Sequence, residues 1–288
     1  MNDVKILADS TCDLPRELKE RLDIGIIPLY VLLGDQAYRD GVDIDPEHIY
    51  AHFERTQQTP TTSAPSVQDL IDAFRPYARE GRDIVFFCIS SEMSATYQNA
   101  LLAAREFPDV TIRVVDSRSL SSGIALLASR AAEEAQAGLS APEIADRAQA
   151  RIGLVRASFV IDTLIYLYRG GRCSRLQMMG ANALNLKPKI VLRDGFMGPE
   201  DRYRGRPARV VEKYTRDVLR DIDSIDTTRT VHRAFPLRAR RRGGSRESGA
   251  RNRAVPGDIR IWLRQRNRQP LRAGHSGRHA YAREPNIN

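Results

Sequence analysis

Asp83-Ile-Val-Phe-Phe-Cys-Ile-Ser-Ser-Glu-Met-Ser-Ala-Thr-Tyr-Gln98 decides the fold class of this chain. Asp83 to Ile89 is a short apolar run of strand length, the pattern of a strand buried on both faces. Ser90 to Ser94 interrupts it with hydroxyls and a charge. From Ser94 to Phe107 the spacing becomes helical, with Tyr97, Ala100, Leu101 and Ala104 on one face. Strand, polar turn and helix in succession form the unit of an α/β fold.

The unit recurs on both sides. Upstream, Val4 to Ala8 reads as a strand, and Gly25 to Leu33 as another in which Pro28 marks an edge or a bulge. Asp45-Pro46-Glu47 opens a helix with a capping Asp and a proline at the first helical position. Val67, Leu70, Ile71, Phe74 and Tyr77 follow helical spacing. Downstream, Val110 to Val115 reads as a strand and Ser119 to Gln136 as a helix ended by Gly138. Ser140-Ala-Pro-Glu143 is a capping box for the next helix. Residues 1–154 are therefore expected to form an N-terminal α/β domain with a mostly parallel sheet.

The pattern loosens after Leu154. Ser158 to Tyr168 is apolar and turns at Gly170-Gly171, and Leu176 to Leu184 reads as helical. Pro188 to Leu192 is a short strand. Arg209 to Ile222 is a helix with Val211, Tyr214, Val218 and Ile222 aligned, and Thr228 to Val231 begins a strand. Residues 155–231 make a second, incomplete α/β domain. At His232 the periodicity stops. Residues 232–288 hold 15 arginines, no lysine and 3 acidic residues, a balance of +12, whereas residues 1–231 balance at −3. Such a segment buries too little to offset its ordering entropy, so it is expected to be disordered or non-native.

Several functions are excluded or disfavoured. Three cysteines lie far apart with no Cys-x-x-Cys pair, which argues against a disulfide framework or a zinc site and places the chain in the reducing cytoplasm. The longest apolar runs are strand-length, so no membrane insertion is expected. No Gly-x-Gly-x-x-Gly follows the first strand, and neither a P-loop nor a Gly-x-Ser-x-Gly elbow occurs. His48 and His52, four apart on one predicted helix, have metal-ligand spacing but no companion cluster, and read as a solvated face. No metal or cofactor is expected. Ser94 has no evident base to activate it, which disfavours covalent catalysis.

Hydroxyls gather at strand ends. Asp9-Ser10-Thr11 follows the first strand, and Thr61-Thr62-Ser63 precedes the helix at Val67. Ser90, Ser91, Ser94 and Thr96 lie between a strand and a helix, and Asp116-Ser117 follows another strand. Ligands of open α/β sheets bind beyond the carboxyl ends of the strands, where helix amides are free. Each cluster alone reads as ordinary helix capping. Four in one sheet make a seat for a small anion such as a carboxylate an equal alternative.

These motifs together resemble the DegV family. Asp9-Ser-Thr-Cys-Asp-Leu14 is similar to its opening D-S-T-x-D-L, and Thr62-Ser-Ala-Pro-Ser66 to its T-S-Q-P-S. Ile89-Ser-Ser-Glu-Met-Ser-Ala-Thr-Tyr-Gln98 resembles I-S-S-x-L-S-G-T-Y-Q, with Ala95 in place of a glycine. Val115-Asp-Ser117, Gly170-Gly-Arg172 and Leu186-Lys-Pro188 fall in the family's order. The resemblance implies two α/β domains enclosing a long-chain fatty acid such as palmitate between them. It implies a carrier rather than an enzyme, similar to the binding subunit of bacterial fatty-acid kinase, with any kinase activity on a separate subunit. Carried over by motif, Thr62 and Ser94 hold the carboxylate, Ser63 and Thr96 support them, and Arg204 matches an arginine near the head group or the partner. Two other readings stand beside it. One is a nucleic-acid binder using the arginine-rich segment; the other is a small-molecule enzyme using the hydroxyl turns.

The resemblance fails after Val231. Family members end with a segment like G-S-V-I-x-S-H-C-G-P-G-T-L-G, where this chain has Arg264-Gln-Arg-Asn-Arg-Gln-Pro-Leu-Arg-Ala-Gly-His-Ser-Gly-Arg-His-Ala280. Codons exist for that stretch which, read one base on, give G-S-V-I-A-S-H-C-G-P-G-T-L-G-G-M. The same shift just after Val231 gives C-I-A-H-S-P. Charge, periodicity and motif change at one residue, which points to a frameshift there.

Overall fold

A computed structural model describes residues 3–161, 164–172 and 186–220, together with the backbone of two strands at 225–236 and 256–265. The first sheet is parallel throughout, in the order β2 (Gly25–Ile27), β1 (Val4–Asp9), β6 (Asp83–Cys88), β7 (Ile112–Asp116). β1 and β6 are buried along their whole length, as their unbroken apolar sequences require. Phe86 and Phe87 point to opposite faces. Phe87, Val85 and Ile6 pack on α5 (Ser122–Gln136) and α6 (Ala141–Ile152), which bring Ile124, Leu127, Ala128 and Ile144. Phe86, Ile84 and Leu7 pack on α3 (Val67–Arg79) and α4 (Thr96–Ala104), which bring Leu70, Phe74 and Ala100.

Helix starts follow their sequence signals. Asp45 caps α2 (Pro46–Thr56) by accepting from the His48 amide at 3.0 Å. Ser66 and Asp69 form a reciprocal capping box on α3. Glu143 reaches back to the Ser140 amide of α6 at 3.0 Å.

The run from Gly25 to Leu33 is not one strand. Pro28 has no amide hydrogen to offer the ladder, so β2 stops at Ile27 and the chain leaves the first sheet. It re-forms as β3 (Tyr30–Leu33), the centre of a small antiparallel sheet ordered β4 (Gln36–Arg39), β3, β5 (Thr61–Ser63). β5 carries Thr62 and Ser63.

The second sheet is antiparallel, in the order β10 (Phe196–Arg204), β9 (Leu186–Arg193), β8 (Val155–Val160), β12 (Pro256–Gln265), β11 (Ile225–Pro236). β9 and β10 join through Asp194 and Gly195, both with positive φ (51° and 84°), the two-residue turn that matches strand twist. The inner face carries Ala157, Phe159, Ile190, Leu192 and Met197 toward the first domain. The outer face carries Val160 and Tyr203 against Val210 and Tyr214 of α8 (Pro207–Val218). The apolar run after Ser158 divides into β8 and α7 (Ile165–Arg169), which ends at Gly170.

The sheet crosses the boundary drawn at residue 231. β11 continues to Pro236, and β12, within the arginine-rich segment, lies between β8 and β11. The sequence Ile259-Arg-Ile-Trp-Leu-Arg264 places apolar residues at 259, 261 and 263, the period of a strand, with Trp262 between the two arginines. The helix expected over Leu176 to Leu184 lies outside the described residues, as do 237–255 and 266–288.

Candidate functional site

The carboxyl ends of β1, β6 and β7 are knitted by side chains. Asp9 is fully buried at the end of β1. Its carboxylate accepts from the Thr11 amide (3.1 Å), Thr11 Oγ1 (2.5 Å) and, across the sheet, the Ile89 amide (2.6 Å). Burial pushes this carboxyl up to about 6, against the downward pull of those donors. Ser91 Oγ donates to Asp116 at 2.6 Å, the Leu29 amide donates to Ser10 Oγ at 3.1 Å, and Ser117 Oγ donates to the Ser119 carbonyl at 3.2 Å. Ser10, Thr11, Ser91 and Ser117 thus hold turns in shape, the capping role their residue types favour.

Ser94 and Thr96 differ. Their hydroxyls are 2.8 Å apart, and the Thr96 amide donates to Ser94 Oγ at 3.3 Å. Thr96 is buried and Ser94 half-buried at the entry to α4. Among the described residues no carboxylate or imidazole is bonded to Ser94, so the pair can donate hydrogen bonds to an anion but has no base there to activate it as a nucleophile. Thr62 and Ser63 are exposed on β5; Ser63 Oγ donates to the Ala64 carbonyl at 3.2 Å. Asn99, on α4, donates from Nδ2 to the Pro65 carbonyl at 2.8 Å, which draws the loop after Ser63 onto the helix that Thr96 begins.

Directly before Ser94 stands Met93, buried in an apolar cluster with Phe159, Ile161, Ile190 and Met197, flanked by Ile89, Leu120, Leu164 and Leu167. The cluster joins the turn after β6 to the inner face of the second sheet. Polar contacts close the same junction. Arg118 Nη1 donates to Glu92 at 2.9 Å, and Nη2 donates to the Asp194 carbonyl of the β9–β10 turn. Gly195 lies so close that a Cβ there would stand 2.5 Å from Ser90 Oγ. Farther along, Arg169 of α7 donates to Thr59 Oγ1 at 2.8 Å, and the rings of Phe53 and Tyr166 meet edge-on at 5.4 Å.

Arg204 stands apart from these groups. It ends β10 and lines a concavity with Gly205, Arg206, Arg209 and Lys213. Its strand partner is Leu186, four residues along β9 from the Ile190–Pro199 pair, or about 13 Å by strand rise. The structure therefore groups Ser94 with Thr96, ties the loop after Ser63 to the helix that Thr96 begins, and sets Arg204 at the far end of the second sheet. His48 Nδ1 lies 2.8 Å from its capping residue Asp45 on an exposed face. Among the described residues no group of three potential metal ligands occurs.

Met93, Asn99, Arg118 and Gly195 were not singled out by sequence reasoning. Gly195 had a signal, since Asp-Gly between apolar runs marks a hairpin turn. The others act through contacts between residues remote in sequence.

An α/β domain and a second domain meeting at an apolar cluster, with paired hydroxyls at its edge, define a two-domain α/β binding protein. The chain belongs to the DegV family: the family model described as "Uncharacterised protein, DegV family" matches residues 3–231. A relative from Thermotoga maritima, named fatty acid-binding protein, is 34% identical over 208 residues, covering 70% of this chain and 72% of that one. A DegV family protein from Thermus thermophilus, solved in a study of its fatty acid binding, superposes with a TM-score of 0.77 at 28% identity, covering 91% of this chain and 99% of that one. The Streptococcus pneumoniae fatty acid kinase B3 protein, loaded with linoleic acid, superposes with a TM-score of 0.65 at 25% identity, covering 77% and 79%. Among the described residues no helix is long and apolar enough to cross a membrane.

Proposed function

We propose that this protein binds one long-chain fatty acid, with the carboxylate held by Thr62 and Ser94, supported by Ser63 and Thr96, and the acyl chain laid between the two domains. The observation that carries the reading is the adjacency of Met93 and Ser94. One residue belongs to the apolar cluster between the domains, and the next belongs to the hydroxyl pair. A molecule with an acid head and a long apolar tail satisfies both. Burying about 14 methylenes at roughly 0.8 kcal/mol each contributes about 11 kcal/mol gross, against an association cost of roughly 4–15 kcal/mol. The tail supplies most of the affinity and the hydroxyls set the orientation.

The protein acts as a carrier, without chemistry of its own, and Arg204 serves the partner side rather than the carboxylate. The partner is the catalytic subunit of a fatty-acid kinase; the likeness to the streptococcal kinase B3 protein supports this. Cys12 and Cys88 are buried and neither is joined in a disulfide, which suits the cytoplasm. Residues 232–288 are read out of frame, a proposal supported by the family match, which ends at residue 231, where the charge balance changes sign.

Mass spectrometry of lipid extracted from the purified protein tests the reading directly, with a long-chain fatty acid as the expected species. Thr62→Val combined with Ser94→Ala should weaken binding about a hundredfold or more and lower its occupancy accordingly, as the loss of two hydrogen bonds to a charged group at roughly 1.5–3 kcal/mol each implies. Full occupancy in that variant would overturn the site assignment.

A further inference from the structure

Four cations share one hollow on the second domain, and no salt bridge engages any of them among the described residues. Arg204 ends β10, Arg206 is the N-cap residue of α8, and Arg209 and Lys213 follow on that helix. With Gly205 they line a concavity of about 500 Å³, and all four are exposed. Several other cations of the same domain are neutralised: Lys189 and Arg193 by Glu200, Arg216 by Glu212, Arg220 by Asp217. The hollow is therefore a local concentration of positive charge rather than an average stretch of basic surface.

The arrangement opposes itself unless an anion enters. Arg209 and Lys213 are four residues apart, so they share one helix face. Arg209 lies in the first turn of α8, where the helix dipole disfavours a cation, and that turn holds no acidic residue and no side-chain cap. Gly205, at φ 131°, makes the turn that brings Arg204 beside Arg206; nothing lies within 4 Å of a Cβ there, so the backbone angle and not space favours glycine.

We infer that this hollow is a phosphate-binding site, distinct from the hydroxyl pair. Three guanidinium groups present planar forks that match phosphate oxygens bidentately, and the lysine adds a point charge. The volume exceeds what a lone carboxylate needs and suits a phosphate monoester, a diphosphate or the headgroup of an anionic phospholipid. α8 packs on the outer face of the second sheet, away from the cluster around Met93.

The test uses the full-length protein with two probes, inorganic pyrophosphate and phosphatidylcholine vesicles containing phosphatidylglycerol. Arg206→Glu with Arg209→Glu should weaken binding of at least one probe about tenfold or more. The neutral pair Arg209→Gln with Lys213→Gln should weaken it less, with an unchanged thermal midpoint and unchanged fatty-acid content. Arg240→Glu with Arg242→Glu, in the arginine-rich segment, should leave the site-dependent fraction in place. Loss of pyrophosphate binding in the first two variants identifies a soluble phosphate ligand; loss of vesicle binding alone identifies a headgroup. Both probes bound equally by wild type and both hollow variants, or neither probe bound by wild type, would overturn the inference.

Discussion

Asn99 Nδ2 donates to the Pro65 carbonyl at 2.8 Å, and this bond couples the loop of Thr62 to the helix of Thr96. Without it, the hydroxyl on strand β5 and the hydroxyl at the start of α4 have less to fix their separation. Asn99→Ala should cost about 1 kcal/mol and weaken fatty-acid binding about fivefold with little change in secondary structure. Displacement of a fluorescent fatty acid measures it. An affinity equal to wild type would mean the loop is held by other contacts.

At Gly195 the turn of the second sheet packs closely against the first domain. A Cβ there would meet Ser90 Oγ at 2.5 Å and Arg118 Cζ at 2.9 Å, and the backbone is at φ 84°. Gly195→Ala combines a strained backbone with a clash, at a cost of roughly 1–3 kcal/mol. Arg118→Ala tests the same junction without backbone strain and should destabilise by about 1 kcal/mol, since the guanidinium is about a third exposed. Urea unfolding of both variants checks the ranking; a larger loss for Arg118→Ala would reverse it.

Asp9 gives the protein a pH dependence of definite sign. Burial raises its carboxyl from 3.8 to about 6, so the native state holds this proton more tightly than the unfolded chain. The contribution is favourable at low pH and declines as pH rises through the interval from about 4 to about 6, by roughly 3 kcal/mol in total. Repulsion from Asp40 adds to the raised value. Asp9→Asn should flatten this part of the stability curve, measured as urea midpoints from about pH 4 to about pH 7. An unchanged slope would place the titration on another group.

The parts of the fold legible in the sequence are those fixed by local pattern. Asp83 to Cys88 reads as a buried strand because it is apolar on both parities, and it is buried on both faces. The capping signals at Asp45 and Ser140 mark real helix starts. β10 was illegible because Gly198-Pro-Glu-Asp201 breaks its alternation, and a register shift falls between Pro199 and Asp201. For the candidate site, hydroxyl clusters were visible as residue types, but their division of labour was not. Ser91 and Ser94 look alike in sequence; Ser91 is taken by Asp116, on another strand end, while Ser94 keeps to Thr96. Such partners depend on strand order, which local spacing does not encode.

The register of β12 supplies the strongest physical test of the reading frame. β12 lies between β8 and β11, with Arg260 opposite Phe159 and Arg264 opposite Val155, and both α5 and α8 contact it. A strand covered on both faces normally carries an apolar run, yet this one has an arginine at every fourth position, 260 and 264. Restoring the frame just after Val231 should therefore raise unfolding stability by several kcal/mol, since it returns apolar residues to a central strand at roughly 1.5–3 kcal/mol for each one buried. The nucleotide sequence and the urea midpoint of the corrected chain are the two measurements. Codons that give no G-S-V-I motif one base on, or a corrected chain that unfolds at the same midpoint, would return the arginine-rich segment to the protein as a selected part of it.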